Sequence, residues 1–295
     1  MLNRLILSLT LALVATLAQA QTKIETVASM SIIGDFVRQI GGERINVTVL
    51  VGAGGDTHTF QPAPQDARRI AQAKLVFING LGLEGWLPRL VQSSGSKARI
   101  ITVSQGVQAI REAGEGHGHA HDLDPHAWQN VGHAKLYVRN IAKALSDADP
   151  DGAANYAARA DKYLAELDRL DNDIRTGLAA IPQERRRIIT NHDAFGYFAK
   201  AYGLSFVAPQ GVSTEAEASS RDVARIIRQI KTEKIPAVFL ENISDTRLMT
   251  QIAHETGAKI GARIYSDSLS DSNGPAAVYI DMMRHNLRAF TEALR

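Results

Sequence analysis

The chain contains no cysteine. That absence excludes disulfides and thiolate metal sites, and it leaves no thiol to carry a lipid anchor. A charge excess of one sign is also missing, with 33 Lys and Arg against 31 Asp and Glu for a net charge of +2. Arg4 belongs to a segment read below as a leader, which takes the mature chain to 2 − 1 = +1. Neither nucleic acid nor an anionic membrane surface is therefore an expected partner. Long apolar runs are scarce. The one at residues 5–17 covers roughly 13 residues, short of the ~20 that span a bilayer. No His-Glu-x-x-His segment occurs, so the commonest helical zinc-protease arrangement is absent. Nor is there a proline between residues 151 and 180, so nothing there interrupts a helix.

The N-terminus combines a positive residue, Arg4, with the apolar run and the small-residue site Ala18-Gln19-Ala20. This is the pattern of a secretory signal cleaved after Ala20. The exported chain lacks disulfides, so its stability must come from its core, for which 45% hydrophobic residues are ample. A free periplasmic protein is the expectation.

Strand and helix patterns alternate along the mature chain. Strands are expected at residues 24–28, Ile45–Val51, Leu75–Ile78 and 99–103, and helices at 31–40, 64–73 and 86–91. Such alternation predicts a parallel sheet covered by helices. Residues 106–124 are rich in Gly and His and break the rhythm, which predicts a mobile loop. A helix resumes at 133–145. From about residue 151 to 180, Tyr156, Tyr163, Leu164, Leu167, Leu170, Ile174 and Leu178 recur at helical spacing. A helix of that length reaches about 45 Å and is read as a backbone joining two lobes. Alternation then returns, with strands at 187–190, Ser205–Val207, 237–240 and 262–265 and helices at 194–202, 220–232, 246–256 and 277–294. The expected fold is α/β: two (β/α)4-like lobes with parallel sheets, joined by one long rigid helix. Their expected bounds are 21–148 and 182–295, with the helix at 149–181.

Four segments end in good metal ligands where a strand stops: Gly54-Gly55-Asp56-Thr57-His58, Asp124-Pro125-His126, Thr190-Asn191-His192 and Tyr265-Ser266-Asp267. Ligands of open α/β sheets bind just beyond the carboxyl ends of strands. Three imidazoles and a carboxylate make the donor set of a closed tetrahedral zinc site. The glycines before His58 allow a sharp turn, but they lead to Pro62 rather than into a helix, so a phosphate loop is a poor reading. Asp124 can cap the following turn or orient the ring of His126. Asp193 suits a helix N-cap better than a ligand role, and Asp271 lies further into its loop than Asp267. His133, His254 and His285 fall inside predicted helices and are read as ordinary residues. His117, His119 and His121 alternate in the Gly/Ala loop, a composition that binds metal weakly.

These motifs resemble a known family. The segment from Gly55 to Pro62 is similar to Asp-Pro-His-Thr-Phe-Glu-Pro, and the segments around His126, His192 to Phe198, and Tyr265 to Ser270 match three further signatures. The family is the cluster of periplasmic solute-binding proteins that serve zinc and manganese ABC importers, and the resemblance covers the whole mature chain. It implies two α/β lobes joined by one helix, with metal in the cleft between them. It also implies ligand roles for His58, His126, His192 and Asp267. In manganese members the position of His192 is typically a glutamate, so His192 favours the zinc branch. The His-rich loop also resembles that branch. Thr57 replaces the usual proline and is expected to loosen the first loop, and the disulfide of some zinc members is absent.

The expected function is capture of Zn(II) and its delivery to an inner-membrane ABC permease by a monomeric, non-enzymatic protein. A periplasmic zinc metallochaperone is a possible further partner. Alternatives are a manganese importer component and a zinc-dependent adhesin or zinc store. A zinc hydrolase would need an open coordination position, which four protein ligands do not leave.

Overall fold

The structure, a computed structural model, describes residues 22–111 and 123–295. The leader read at residues 1–20 and the histidines His117, His119 and His121 lie outside the described residues.

Strands β1 (Ile24–Met30), β2 (Ile45–Val51), β3 (Leu75–Ile78) and β4 (Arg99–Thr102) form one sheet in the order β2-β1-β3-β4. Strands β5 (Arg187–Ile189), β6 (Ser205–Val207), β7 (Ala237–Val238) and β8 (Lys259–Ile260) form a second in the order β6-β5-β7-β8. Every pairing within the two sheets is parallel. A parallel sheet must be covered on both faces. The helices that cover the first are α1 (Ser31–Gly41), α2 (Pro64–Gln72), α3 (Leu87–Ser94) and α4 (Val131–Ala148). The long α5 (Ala153–Ala179) leads to α6 (Gly196–Tyr202), α7 (Ser220–Glu233), α8 (Arg247–Thr256) and the closing α9 (Tyr279–Leu294).

Strand alternation sorts the side chains between layers. Val27 and Val76 join Ile70, Leu87 and Leu90 under α2 and α3. Their neighbours Ala28 and Phe77 join the main core with Phe36, Tyr137 and Tyr163. In the second sheet Ile189 and Val238 pack with Ile226, Ile230 and Ile252, whereas Ile188, Ala237 and Phe239 turn to the main core.

That main core crosses both lobes. Buried residues of α5 from Tyr156 to Leu178 repeat along one face of the helix. Near its start Arg159 donates to the Gln39 carbonyl of α1 at 2.8 Å. Near its end Gly177 leaves room for Leu287 of α9, and Asp171 accepts from the Tyr202 hydroxyl at 2.7 Å. The Phe36 and Tyr279 rings lie 4.7 Å apart where α1 meets α9. The backbone N–H of Tyr279 donates to Asp35 at 2.8 Å, and its hydroxyl donates to the Trp128 carbonyl at 2.6 Å.

Three local expectations change. The strand expected at 262–265 forms earlier, as β8, with only a single bridge from Ile264 to Glu241. At Gly261 the backbone passes so close to the Phe239 ring that a Cβ would collide with it, and the last bond of the β7–β8 pair is the Gly261 N–H to the Val238 carbonyl at 2.9 Å. Helix α6 begins at Gly196, with Phe195 rather than Asp193 at its cap. The backbone N–H of Asp193 instead donates to the Gly211 carbonyl at 3.1 Å. The ends of the His-rich loop are also held rather than loose. Arg111 bridges Leu123, and the Tyr197 hydroxyl accepts from the Ile110 N–H at 3.1 Å while donating to the Asp124 carbonyl at 2.8 Å.

Candidate metal centre

Each of the four candidate ligands is delivered by a different backbone device. After β2, Gly54 adopts φ 71°, a left-handed angle suited to glycine, and its N–H donates across the cleft to the Leu269 carbonyl at 3.0 Å. Asp56 then closes a tight turn by accepting the N–H of His58 at 2.9 Å. Its other oxygen takes the hydroxyl of Thr214, from the opposite lobe, at 2.6 Å. The loosening expected at Thr57 is not found: the residue is fully buried, and its carbonyl accepts from the Trp86 indole at 2.9 Å.

His126 sits in the turn between the His-rich loop and α4. Asp124 accepts both its backbone N–H at 2.9 Å and its Nδ1 at 2.8 Å, so one carboxylate fixes the turn and the ring together. The Pro125 carbonyl is anchored by the Asn79 amide at 2.9 Å. Asn79 belongs to a buried polar cluster with Tyr137 and Glu84, and burial pushes the Glu84 carboxyl up from its ordinary range. Trp128 packs edge-on against the His126 ring at 5.3 Å and donates to the Ser266 carbonyl at 2.9 Å. His192 follows β5 directly, with its carbonyl held by the Thr190 hydroxyl at 3.0 Å. Asp267 lies three residues beyond the Ile264 bridge, between Ser266 and Ser268.

These loops bring His58, His126, His192 and Asp267 into one buried cluster whose ligand atoms all lie within 4.8 Å of one another. His58 is 6% exposed and the other three are fully enclosed. His58 Nε2 lies 3.3 Å from His126 Nε2 and 3.2 Å from Asp267 Oδ2. His192 Nε2 lies 3.2 Å from the same oxygen, and His126 Nε2 is 3.5 Å from Asp267 Oδ1. A tetrahedron with metal–ligand bonds of about 2.0–2.1 Å has edges of roughly 3.3–3.4 Å. The three separations of 3.2–3.3 Å match such an edge, and the whole donor set lies within 4.8 Å. Asp267 Oδ1 is buried and makes no aligned hydrogen bond, its contact with His126 Nε2 being an ion-pair distance.

The electrostatics agree. Burial alone disfavours a charged ring at His126, but Asp267 and Asp124 outweigh it and push the ring up to about 9. Burial likewise opposes a charge on His192, and the Glu241 and Asp267 carboxylates overcome it and raise the ring well above its ordinary value. Asp267 is held well below the usual carboxylate range against its own burial by His126 and His192. The pocket is built for positive charge.

The other described histidines stay apart. His133 stacks edge-on with Tyr197 at 5.2 Å and is pushed down by burial. His285 pairs with the Arg263 carbonyl at 2.8 Å, and His254 and Asp271 are exposed. Sequence reasoning missed Glu241, whose Oε2 stands 2.6 Å from His192 Nδ1. The available signal was its place immediately after a predicted strand, the same place that marks the ligands.

A family model described as zinc-uptake complex component A, periplasmic, matches residues 26–293. The manganese-binding lipoprotein MntA of Halalkalibacterium halodurans is 35% identical over 272 residues, covering 92% of this chain and 88% of that protein. The manganese ABC transporter substrate-binding lipoprotein PsaA of Streptococcus mitis is 32% identical over 283 residues, covering 94% and 91%. Among solved structures, the periplasmic zinc-binding protein TroA of Treponema pallidum superposes with a TM-score of 0.87 at 28% identity, covering 92% of this chain and 99% of that one. The manganese-bound periplasmic metal-binding protein of Candidatus Liberibacter asiaticus gives a TM-score of 0.83 at 30% identity, covering 93% and 100%.

Proposed function

The chain belongs to the family of periplasmic zinc-uptake component A, the metal-binding subunit of an ABC importer, and from that premise we propose that its cargo is Zn(II). The observation that carries this reading is the buried set of three imidazoles and one carboxylate whose ligand atoms lie within 4.8 Å of one another. Three nitrogen donors and one oxygen suit zinc, whereas manganese prefers a harder, carboxylate-rich set. His58 and His126 supply the donors of one lobe, and His192 and Asp267 those of the other. In this reading residues 21–148 and 182–295 are the lobes, and residues 149–181 join them.

A manganese cargo is the second reading, and it is favoured by the names of relatives such as MntA and PsaA. Competition titration of the purified protein with both ions decides between them. Tighter zinc binding supports the proposal, and tighter manganese binding overturns it.

Delivery requires a membrane permease with its ATPase, and a periplasmic metallochaperone is a further candidate partner. The protein works as a monomer and catalyses no reaction, because four protein donors fill a tetrahedral ion. It acts outside the cytoplasm after removal of residues 1–20. Several relatives are named lipoproteins, but the 295 residues hold no cysteine to take a lipid. His117, His119 and His121 gather zinc for the cleft, since the ends of their loop are pinned beside His126.

A further inference from the structure

Glu241 is a carboxylate sealed in the interior, 1% exposed, at the end of the β7 segment. Burying a carboxylate costs several kcal/mol unless a partner compensates it. The partner here is neither lysine nor arginine but His192. Oε1 accepts the backbone N–H of His192 at 2.9 Å, and Oε2 stands 2.6 Å from its ring Nδ1. The backbone of Glu241 is fixed in turn, because its N–H donates to Asn191 Oδ1 at 3.0 Å. Asn191 and His192 are neighbours, so β7 and the ligand turn after β5 clasp each other at two successive residues. Glu241 is not itself a ligand candidate: it holds the far side of the ring, whereas Nε2 faces Asp267.

We propose that Glu241 is a positioning residue that sets the donor strength of His192 and, through it, the preference for zinc over manganese. At 2.6 Å the contact is an ion-pair distance rather than an aligned hydrogen bond, and a carboxylate so placed holds the ring proton at Nδ1, which leaves the opposite nitrogen as the free donor. Affinity for nitrogen donors rises from manganese to zinc along the divalent series, so a stronger nitrogen favours zinc more. The two histidines with such support differ in its origin. Asp124 serves His126 from two residues away in the same turn, and Glu241 serves His192 from another strand. The donor strength of His192 is therefore tied to the register of the second sheet.

The inference rests on the metal-cleft reading, and the test separates the two. Zinc and manganese affinities are measured by competition for the wild type, Glu241→Gln and Glu241→Ala, with cobalt(II) absorption reporting coordination geometry. Glutamine keeps the size of the side chain but carries no charge, and its single oxygen can serve either the backbone N–H or Nδ1, not both. Glu241→Gln should keep tetrahedral cobalt bands, lose about tenfold in zinc affinity and lose less in manganese affinity, which narrows the ratio. Glu241→Ala should lose up to about 100-fold in zinc affinity, as removal of a ligand's supporting partner does. Should the alanine variant fail to fold by circular dichroism, the glutamine variant decides alone. An unchanged zinc-to-manganese ratio in Glu241→Gln overturns the proposal. Failure of the wild type to bind either ion overturns the metal-cleft reading itself, before any variant is compared.

Discussion

Metal binding should expel protons, and raising the pH should tighten it. Three carboxylates, Asp124, Glu241 and Asp267, surround His126 and His192 in a sealed pocket. Without a metal ion, protons on the rings offset that charge, which is why His126 is pushed up to about 9 and His192 is raised in the same direction. A ring must be neutral at Nε2 to bind metal. At pH 7, deprotonating a group with a pKa of about 9 costs about 2.7 kcal/mol, or roughly two decades of apparent affinity. Each unit of pH between about 6.5 and 8.5 should therefore strengthen binding roughly tenfold for His126 alone, and by more if His192 releases its proton in the same range.

Calorimetry at pH 7 in buffers of different ionisation enthalpy measures the protons released, and between one and two are expected. The metal-free protein has the matching stability signature. Both rings have folded values raised above the unfolded one, so the stability they contribute is complete below about 6.5. For His126 it fades as the pH rises through about 9. Zero protons released, with affinity flat from pH 7 to 8.5, would refute the charge argument and leave only the geometric case for the site.

Other consequences are sharper in sign than in size. Asp267→Asn removes the one anionic donor of the proposed site and should weaken zinc by more than the roughly 100-fold that loss of a supporting group costs. Ring titration by NMR should also show His126 falling toward its ordinary value in that variant. Phe36→Ala deletes a ring that packs against Tyr137, Tyr163 and Tyr279 and should cost about 3–5 kcal/mol, measured by denaturant unfolding. Because that core runs through both lobes, the loss should move a single transition for the whole chain rather than split it. Deleting residues 117–121 should slow zinc loading in stopped-flow mixing while leaving the tight site, and loss of tight binding would refute an accessory role.

The elements legible in the sequence were those set by local pattern. The apolar face of α5 announces itself because 27 residues repeat it without a proline. The ligand turns are legible because glycine, proline and histidine cluster where β-branched runs stop. The unread features depend on residues far apart in the chain. β8 ends beside the Phe239 ring, which only Gly261 lets approach, and Asp193 is drawn from the α6 cap by its bond to Gly211. Glu241 stayed hidden because a lone acid after a strand looks like any solvated turn. Its meaning arises only when β7 pairs with β5 and brings it to His192, 49 residues away in sequence.

The same long-range bonds constrain how metal leaves. The lobes are tied around the cluster by Gly54 to Leu269, Ser31 to Ser268 and Leu269, Ser268 to Gly52, Trp128 and Gln129 to Ser266, and Tyr279 to Asp35. A hinge opening would break most of them at about 1 kcal/mol each and expose the buried Phe36 and Tyr279 rings as well. Asp267 is a poor candidate for the moving ligand, because the residues on both sides of it carry several of these bonds. His126 is clamped twice by Asp124. His58 is different, since its turn is held to the opposite lobe by the Thr214–Asp56 bond and by Gly54, and no carboxylate clamps its ring as Asp124 and Glu241 clamp the others. Moving that turn breaks these two cross-cleft bonds and the Trp86–Thr57 bond within its own lobe, and it takes one of the four donors with it. Release by the His58 loop is the expected path, with α5 and the shared core left in place, and a crosslink between positions 56 and 214 that left zinc release unchanged would refute it.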